Sequence, residues 1–242
     1  MEKIAIFVEG QTELIFVREY LLKTLDIQTI AISCEKLYAD FSAEKVPYEI
    51  PNDDAQFQFF IYNTGNDEAV LKRLIQRLPF LRKNNFTKII GLRDMYSEKY
   101  EKMAKSKVIN ANIIANFIAG ANETIQEECE DSSNVHFCFA IMEIEAWFLN
   151  LHYVFECIDA RLTKEFIAQE LGWDIDNECA EQKFFNPANN LERLYEAVGN
   201  KYDKHAGDIE AIMKELAKSD FEQLYQSDKS PSFRNFVDIL KN

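Results

Sequence analysis

Three apolar runs in this chain end in acids. Lys3 to Val8 (KIAIFV) is followed by Glu9, Thr87 to Leu92 (TKIIGL) by Arg93 and Asp94, and the run around Phe137 to Ile141 by Glu143 and Glu145. If those runs are parallel strands of an open sheet, their carboxyl ends are where ligands gather. Carboxylates brought together there repel: two unit charges ~4 Å apart cost roughly 4 kcal/mol at an effective dielectric of 20. Such a group needs protons or a cation. Oxygen donors without His or Cys suit a hard ion, Mg²⁺ or Mn²⁺, rather than zinc.

Other residues could attend that chemistry. Gly10 permits a close approach after Glu9. Glu13 is either a further acid behind the first or a first-turn partner of the helix dipole. Glu143 and Glu145 share a face only if the strand continues; in a helix they lie about 200° apart, so one of them is expected to face the site. Arg93, Lys201 and Lys204 are the cations available to a phosphate, and each is equally an ordinary solvated side chain. His136, His152 and His205 form no triad or zinc spacing. Cys34, Cys129, Cys138, Cys157 and Cys179 are odd in number and contain no C-x-x-C, which excludes a zinc ribbon and a disulfide framework.

The elements that must hold these acids follow from periodicity. Lys3 to Val8 reads as a doubly buried strand. Leu14, Val17, Leu21 and Leu25 mark one face of a helix with Thr12 as its cap. Ile27 to Ser33 and Phe57 to Tyr62 read as strands, and Asn66 to Leu78 as a helix stopped by Pro79. Thr87 to Leu92 is a strand, Val108 to Glu128 a helix, and Asn134 to Met142 a strand. Strand and helix alternate over about 150 residues, which predicts an α/β fold with a mostly parallel sheet. Beyond Trp147 only helices are expected, over 162–171, 189–198, 208–225 and 232–240. The expected division is an α/β domain over 1–150 and a helical C-terminal segment over 151–242.

Charge restricts the partners. The 242 residues carry 27 Lys and Arg against 41 Asp and Glu, a net −14, while 47% are hydrophobic. A core is easily filled; a broad basic surface for nucleic acid is not. No apolar stretch reaches membrane-span length, and the N-terminus runs straight into a strand without a signal-peptide pattern, so a cytoplasmic protein is expected.

The segment IAIFVEGQTELIFVREYL at 4–21 resembles the opening of the Toprim domain, where a glutamate followed by glycine ends the first strand. IIGLRDMY at 89–96 is similar to the second Toprim motif. E-G-x-T-E at 9–13, EIEAWFL at 143–149, FFNPANNLERL at 184–194, KYDKHAG at 201–207 and SFRNFVDIL at 232–240 together resemble the bacterial family DUF4276. The resemblance implies a Toprim-like fold and a metal-dependent nuclease acting on DNA or RNA, related to nucleases of the overcoming-lysogenization-defect group. It implies Glu9 as metal ligand or general acid/base and Asp94 as a metal ligand, with Glu13, Glu143 or Glu145 completing the shell and Lys204 stabilising phosphate charge. It also implies anti-phage defence beside a partner ATPase. The second acid of the Toprim pair is replaced here by Tyr96. That departure leaves open a non-catalytic regulatory or partner-binding subunit, and the acidic scaffold alone leaves open a small-molecule phosphatase or nucleotidyl enzyme.

Overall fold

The computed structural model describes residues 1–40, 42–66, 69–203 and 207–241. They divide into two compact units that interleave along the chain: Met1–Arg93 with Ala115–Phe139, and Asp94–Ile114 with Ala140–Asn242.

The first unit is an α/β layer built on β1 (Glu2–Val8), β2 (Ile30–Leu37), β3 (Ala43–Lys45), β4 (Phe57–Asn63), β5 (Lys88–Asp94) and β6 (Val135–Ala140). The order across the sheet is β3-β2-β4-β1-β5-β6. β2, β4, β1 and β5 run parallel, and β3 is an antiparallel edge, so the sheet is mixed. β1 is central, and Ile4 to Val8 are buried without interruption, as a strand covered on both faces requires.

Helix α1 (Gln11–Thr24) follows β1, and α2 (Ala69–Lys83) follows β4. Phe7, Tyr62 and Gly91 stand in register on β1, β4 and β5 and face α2. Arg77 of α2 lies over the Tyr62 ring, and a Cβ on Gly91 would stand 3.2 Å from Leu74 of α2 and 2.3 Å from the Phe137 ring of β6. Glycine is required at 91 because a neighbouring ring already fills the place of its side chain.

Several boundaries differ from the sequence reading. The cap of α1 is Gly10, and Thr12 lies inside the helix. Gly10 has φ −145°, which other residues also adopt, so its special quality is room: the Glu13 carboxylate would stand 3.2 Å from a Cβ there. β2 begins at Ile30 rather than Ile27, because Asp26 closes a turn by accepting from the Gln28 and Thr29 amides and leaves Ile27 exposed. Pro79 does not stop α2. It lies on the exposed side of the helix, while buried Leu78 and Leu81 hold the last turn down.

The second unit is helical among its described residues. It holds α3 (Glu98–Met103), α5 (Glu145–Asn150), α6 (Tyr153–Ile158), α7 (Lys164–Leu171), α8 (Ala180–Lys183), α9 (Pro187–Ala197), α10 (Asp208–Glu215), α11 (Lys218–Gln226) and α12 (Pro231–Lys241); α4 (Ala111–Glu128) has only its first turn here. The single helix expected over 208–225 is two, broken at Leu216 and Ala217. Trp147 of α5 is the centre of the core, with Phe233 edge-on at 5.4 Å and Phe236 stacked at 6.0 Å.

Candidate functional site

The two units are taken in turn. In the first, Glu9 directly follows β1, and its carbonyl accepts from the Gly65 amide. Glu13, in the first turn of α1, accepts from the Gly10 amide at 2.8 Å and is buried. That bond closes the helix N-terminus, where a carboxylate also meets the positive end of the dipole. Arg93 lies 5.7 Å over the Phe139 ring.

In the second unit the expected acids are all buried: Asp94 7% exposed, Glu143 9% and Glu145 0%. β6 ends at Ala140, and the chain enters α5 through a turn in which Met142 adopts φ +64°. A buried, non-glycine residue in the left-handed region is strained, and such strain persists only where surroundings enforce it. Here the enforcing bonds come from the segment after β5: the Met95 amide donates to Ala140, and the Tyr96 amide donates to the Met142 carbonyl at 2.6 Å. The Asp94 carboxylate then accepts from the Ile144 amide at 2.9 Å. Ile144 sits between Glu143 and Glu145, so Asp94 is brought to the amide flanked by the other two acids.

Glu143, Glu145 and Trp147 of the EIEAW segment are each tied to a different part of the C-terminal sequence. Glu143 accepts from the Ala188 amide at 2.8 Å, in the first turn of α9, which Asn186 caps and Pro187 begins. That places its charge at a helix N-terminus. Glu145 accepts from the Tyr202 hydroxyl at 3.2 Å. Burial first, and then the Glu145 carboxylate, push the Tyr202 phenol well above its ordinary range, so it remains a donor. The Trp147 indole donates to Ser232 Oγ at 2.8 Å, and Ser232 donates to Glu181 at 2.7 Å. Burial raises the Glu181 carboxyl to about 7.

The question of which glutamate faces one way therefore resolves into two separate partners: Glu143 turns to α9 and Glu145 to Tyr202. Lys201 is exposed beside Asp203, 3.9 Å away. Lys204 lies outside the described residues. Tyr96, which the Toprim resemblance sets in the place of a second acid, packs edge-on against Phe185 at 5.7 Å; burial, then Glu101, raise its phenol. Sequence reading missed Glu181 and the partner role of Tyr202. Glu181 stands outside any motif, and neither partner lies close in sequence to the group it holds.

As a donor set, carboxylate oxygens suit a hard cation. Among the described residues, however, no group of three or more His, Cys, Asp or Glu is placed to hold a metal ion. Nor, among them, is any helix long and apolar enough to cross a membrane.

No curated protein and no solved structure matches the chain. The C-terminal motifs that reach back to Glu143, Glu145 and Trp147 all fall within residues 8–241, which match the family described as a domain of unknown function, DUF4276; the chain belongs to that family.

Proposed function

We propose that this protein is a Toprim-type, Mg²⁺- or Mn²⁺-dependent nuclease that hydrolyses phosphodiester bonds in DNA or RNA, acting with a partner ATPase in anti-phage defence. The observation that carries the reading is the bond from the Ile144 amide to Asp94, which sets one buried carboxylate on the amide between two others, beside a strained turn. All three acids are buried although each ends on its own donor, and strain of this kind concentrates at functional sites.

In this reading Asp94, Glu143 and Glu145 of the second unit would supply oxygens to a metal; for Glu9 and Glu13 of the first unit the role of ligand, and for Glu9 that of handling the proton of the attacking water, rests on the Toprim resemblance alone. The metal, when bound, polarises the phosphate and lowers the pKa of that water. Tyr202 keeps Glu145 oriented, and Lys204 contributes positive charge toward the phosphate.

Calorimetric Mn²⁺ titration tests the assignment. Asp94→Asn and Glu143→Gln are expected to weaken binding at least ~10-fold, and Glu145→Gln less, since Glu145 is fully enclosed. Wild-type affinity in all three variants refutes it. The second reading is a non-catalytic, partner-binding subunit. Tyr96 in place of the second acid favours it, as does the engagement of Glu13, Asp94, Glu143 and Glu145 with donors of the protein itself.

A further inference from the structure

Helix α2 is the opposite of the chain that contains it. Its fifteen residues, AVLKRLIQRLPFLRK, carry Lys72, Arg73, Arg77, Arg82 and Lys83 and no acid, in a protein of 27 basic and 41 acidic residues. Five charges drawn at random from that composition are all cationic in about one draw in a hundred. Asp67 and Glu68, which precede the helix in sequence, lie outside the described residues.

The cations are not spread evenly. Val70, Leu74, Leu78 and Leu81 form the buried stripe. At about 100° per residue, Lys72, Gln76, Phe80 and Lys83 fall opposite it, with Arg73 at their margin. Lys72 and Lys83 are exposed, and Phe80 is 48% exposed. Arg77 lies 5.6 Å from the Phe80 ring and 5.8 Å from the Tyr62 ring, which leaves Phe80 standing beside a fixed positive charge. Among the described residues none of the five cations has a carboxylate within ion-pair distance. At the far end, Lys3 bonds the Asn84 carbonyl, adding a sixth cation just past the helix.

The segment that precedes α2 in sequence is joined to the end of β1 within the same unit. Gly65, a few residues before α2, donates to the Glu9 carbonyl, and Thr64 bonds the Val8 carbonyl. A cationic stripe roughly 16 Å long thus lies along α2 from Lys72 to Lys83, with one exposed aromatic ring on it.

We propose that the solvent face of α2 is a docking surface for single-stranded nucleic acid: Lys72, Arg73 and Lys83 contact the phosphates and Phe80 stacks on a base. Cations tracking a backbone and an aromatic ring serving as a sequence-tolerant platform are the two components of single-strand binding. This deepens the nuclease reading by naming how an acidic protein holds a polyanion, and it rests on that reading only for the fate of the bound strand.

The test is fluorescence anisotropy of a labelled 20-nucleotide single strand in EDTA, where binding is read without cleavage. Lys72→Glu/Lys83→Glu is expected to weaken binding at least ~10-fold and to lower the salt slope by about 1.4, at about 0.7 for each lost phosphate contact. Phe80→Ala is expected to weaken it at least ~5-fold. Lys45→Glu/Lys218→Glu, which changes net charge equally at exposed sites off α2, is expected to weaken binding less than ~3-fold. Equal losses in the two double variants overturn the proposal, as does retention of wild-type affinity by Lys72→Glu/Lys83→Glu. Binding to anionic phospholipid vesicles but not to the oligonucleotide also overturns it. Because binding is measured without turnover, a catalytically silent protein that still requires α2 refutes the nuclease reading and leaves this one standing.

Discussion

Asp94 and Ile144, fifty residues apart in sequence, are joined by a hydrogen bond of 2.9 Å from the Ile144 amide to the Asp94 carboxylate, and both are buried. The bond fixes the turn that carries Glu143 and Glu145, so Asp94 has a structural task besides any chemical one. The two separate by substitution. Asn keeps an acceptor oxygen and Ala does not. Asp94→Ala is expected to cost about 1–3 kcal/mol, the penalty for a buried amide left without a partner, and Asp94→Asn under about 1 kcal/mol, by urea denaturation. Equal stability of the two variants would show that the bond does not hold the turn.

Tyr202 donates to Glu145, the most enclosed of the acids. Tyr202→Phe preserves the ring, its edge contact with Tyr195 at 5.4 Å and nearly all the packing. Removing that donor from a buried carboxylate is expected to cost about 1–3 kcal/mol, seen as a melting temperature lower by about 2–4 °C per kcal/mol for a chain of this size. A melting temperature unchanged from wild type would sever the link between KYD and the EIEAW segment.

Glu181 sets a pH dependence. Its carboxyl is raised from 4.5 to about 7, chiefly by burial and against the bonds from Ser232. Between those values the folded protein holds a proton that the unfolded chain has released. The stability it contributes is complete below about pH 4.5 and is lost as pH rises through 7, at no more than about 1.4 kcal/mol per pH unit. Glu181→Gln removes that component, so its stability relative to wild type should climb from pH 4.5 to 7 and level off above. Parallel stability curves for the two proteins would contradict this.

Gly91 tests the sheet. Its alanine variant drives a methyl group into Phe137 of β6, and overpacking of a closed core costs typically about 1–3 kcal/mol. Gly91→Ala/Phe137→Leu, which shortens the opposing side chain, should recover part of the loss in chemical denaturation. A neutral Gly91→Ala would mean that β5 and β6 are spaced more widely there.

The α/β fold was legible where burial is two-sided. IAIFV, FFIY and IIGL are continuous apolar runs, and each lies in a strand of the parallel core. β3 was not legible, since Ala43–Lys45 is exposed throughout and exists by pairing antiparallel with β2. Thr12 was the better cap by residue type, yet the chain turns at Gly10 because Glu13 reaches back to its amide. The acids after the strands were visible individually. Their partners were not: the bonds joining Glu143 to Ala188, Glu145 to Tyr202 and Trp147 to Ser232 span 45, 57 and 85 residues, and no local pattern encodes them. Net charge likewise concealed α2, because a sum over the chain carries no position.

The central claim is metal-dependent hydrolysis of nucleic acid, and the direct measurement is cleavage of end-labelled DNA and RNA oligonucleotides by the purified protein, with and without Mn²⁺ and with and without a co-expressed partner ATPase. The account predicts cleavage of at least one polymer that requires Mn²⁺, stops in EDTA, and falls at least ~100-fold in both Glu9→Gln and Asp94→Asn while both variants remain folded. Absence of cleavage of either polymer under every condition, or cleavage undiminished in the folded variants, would contradict it.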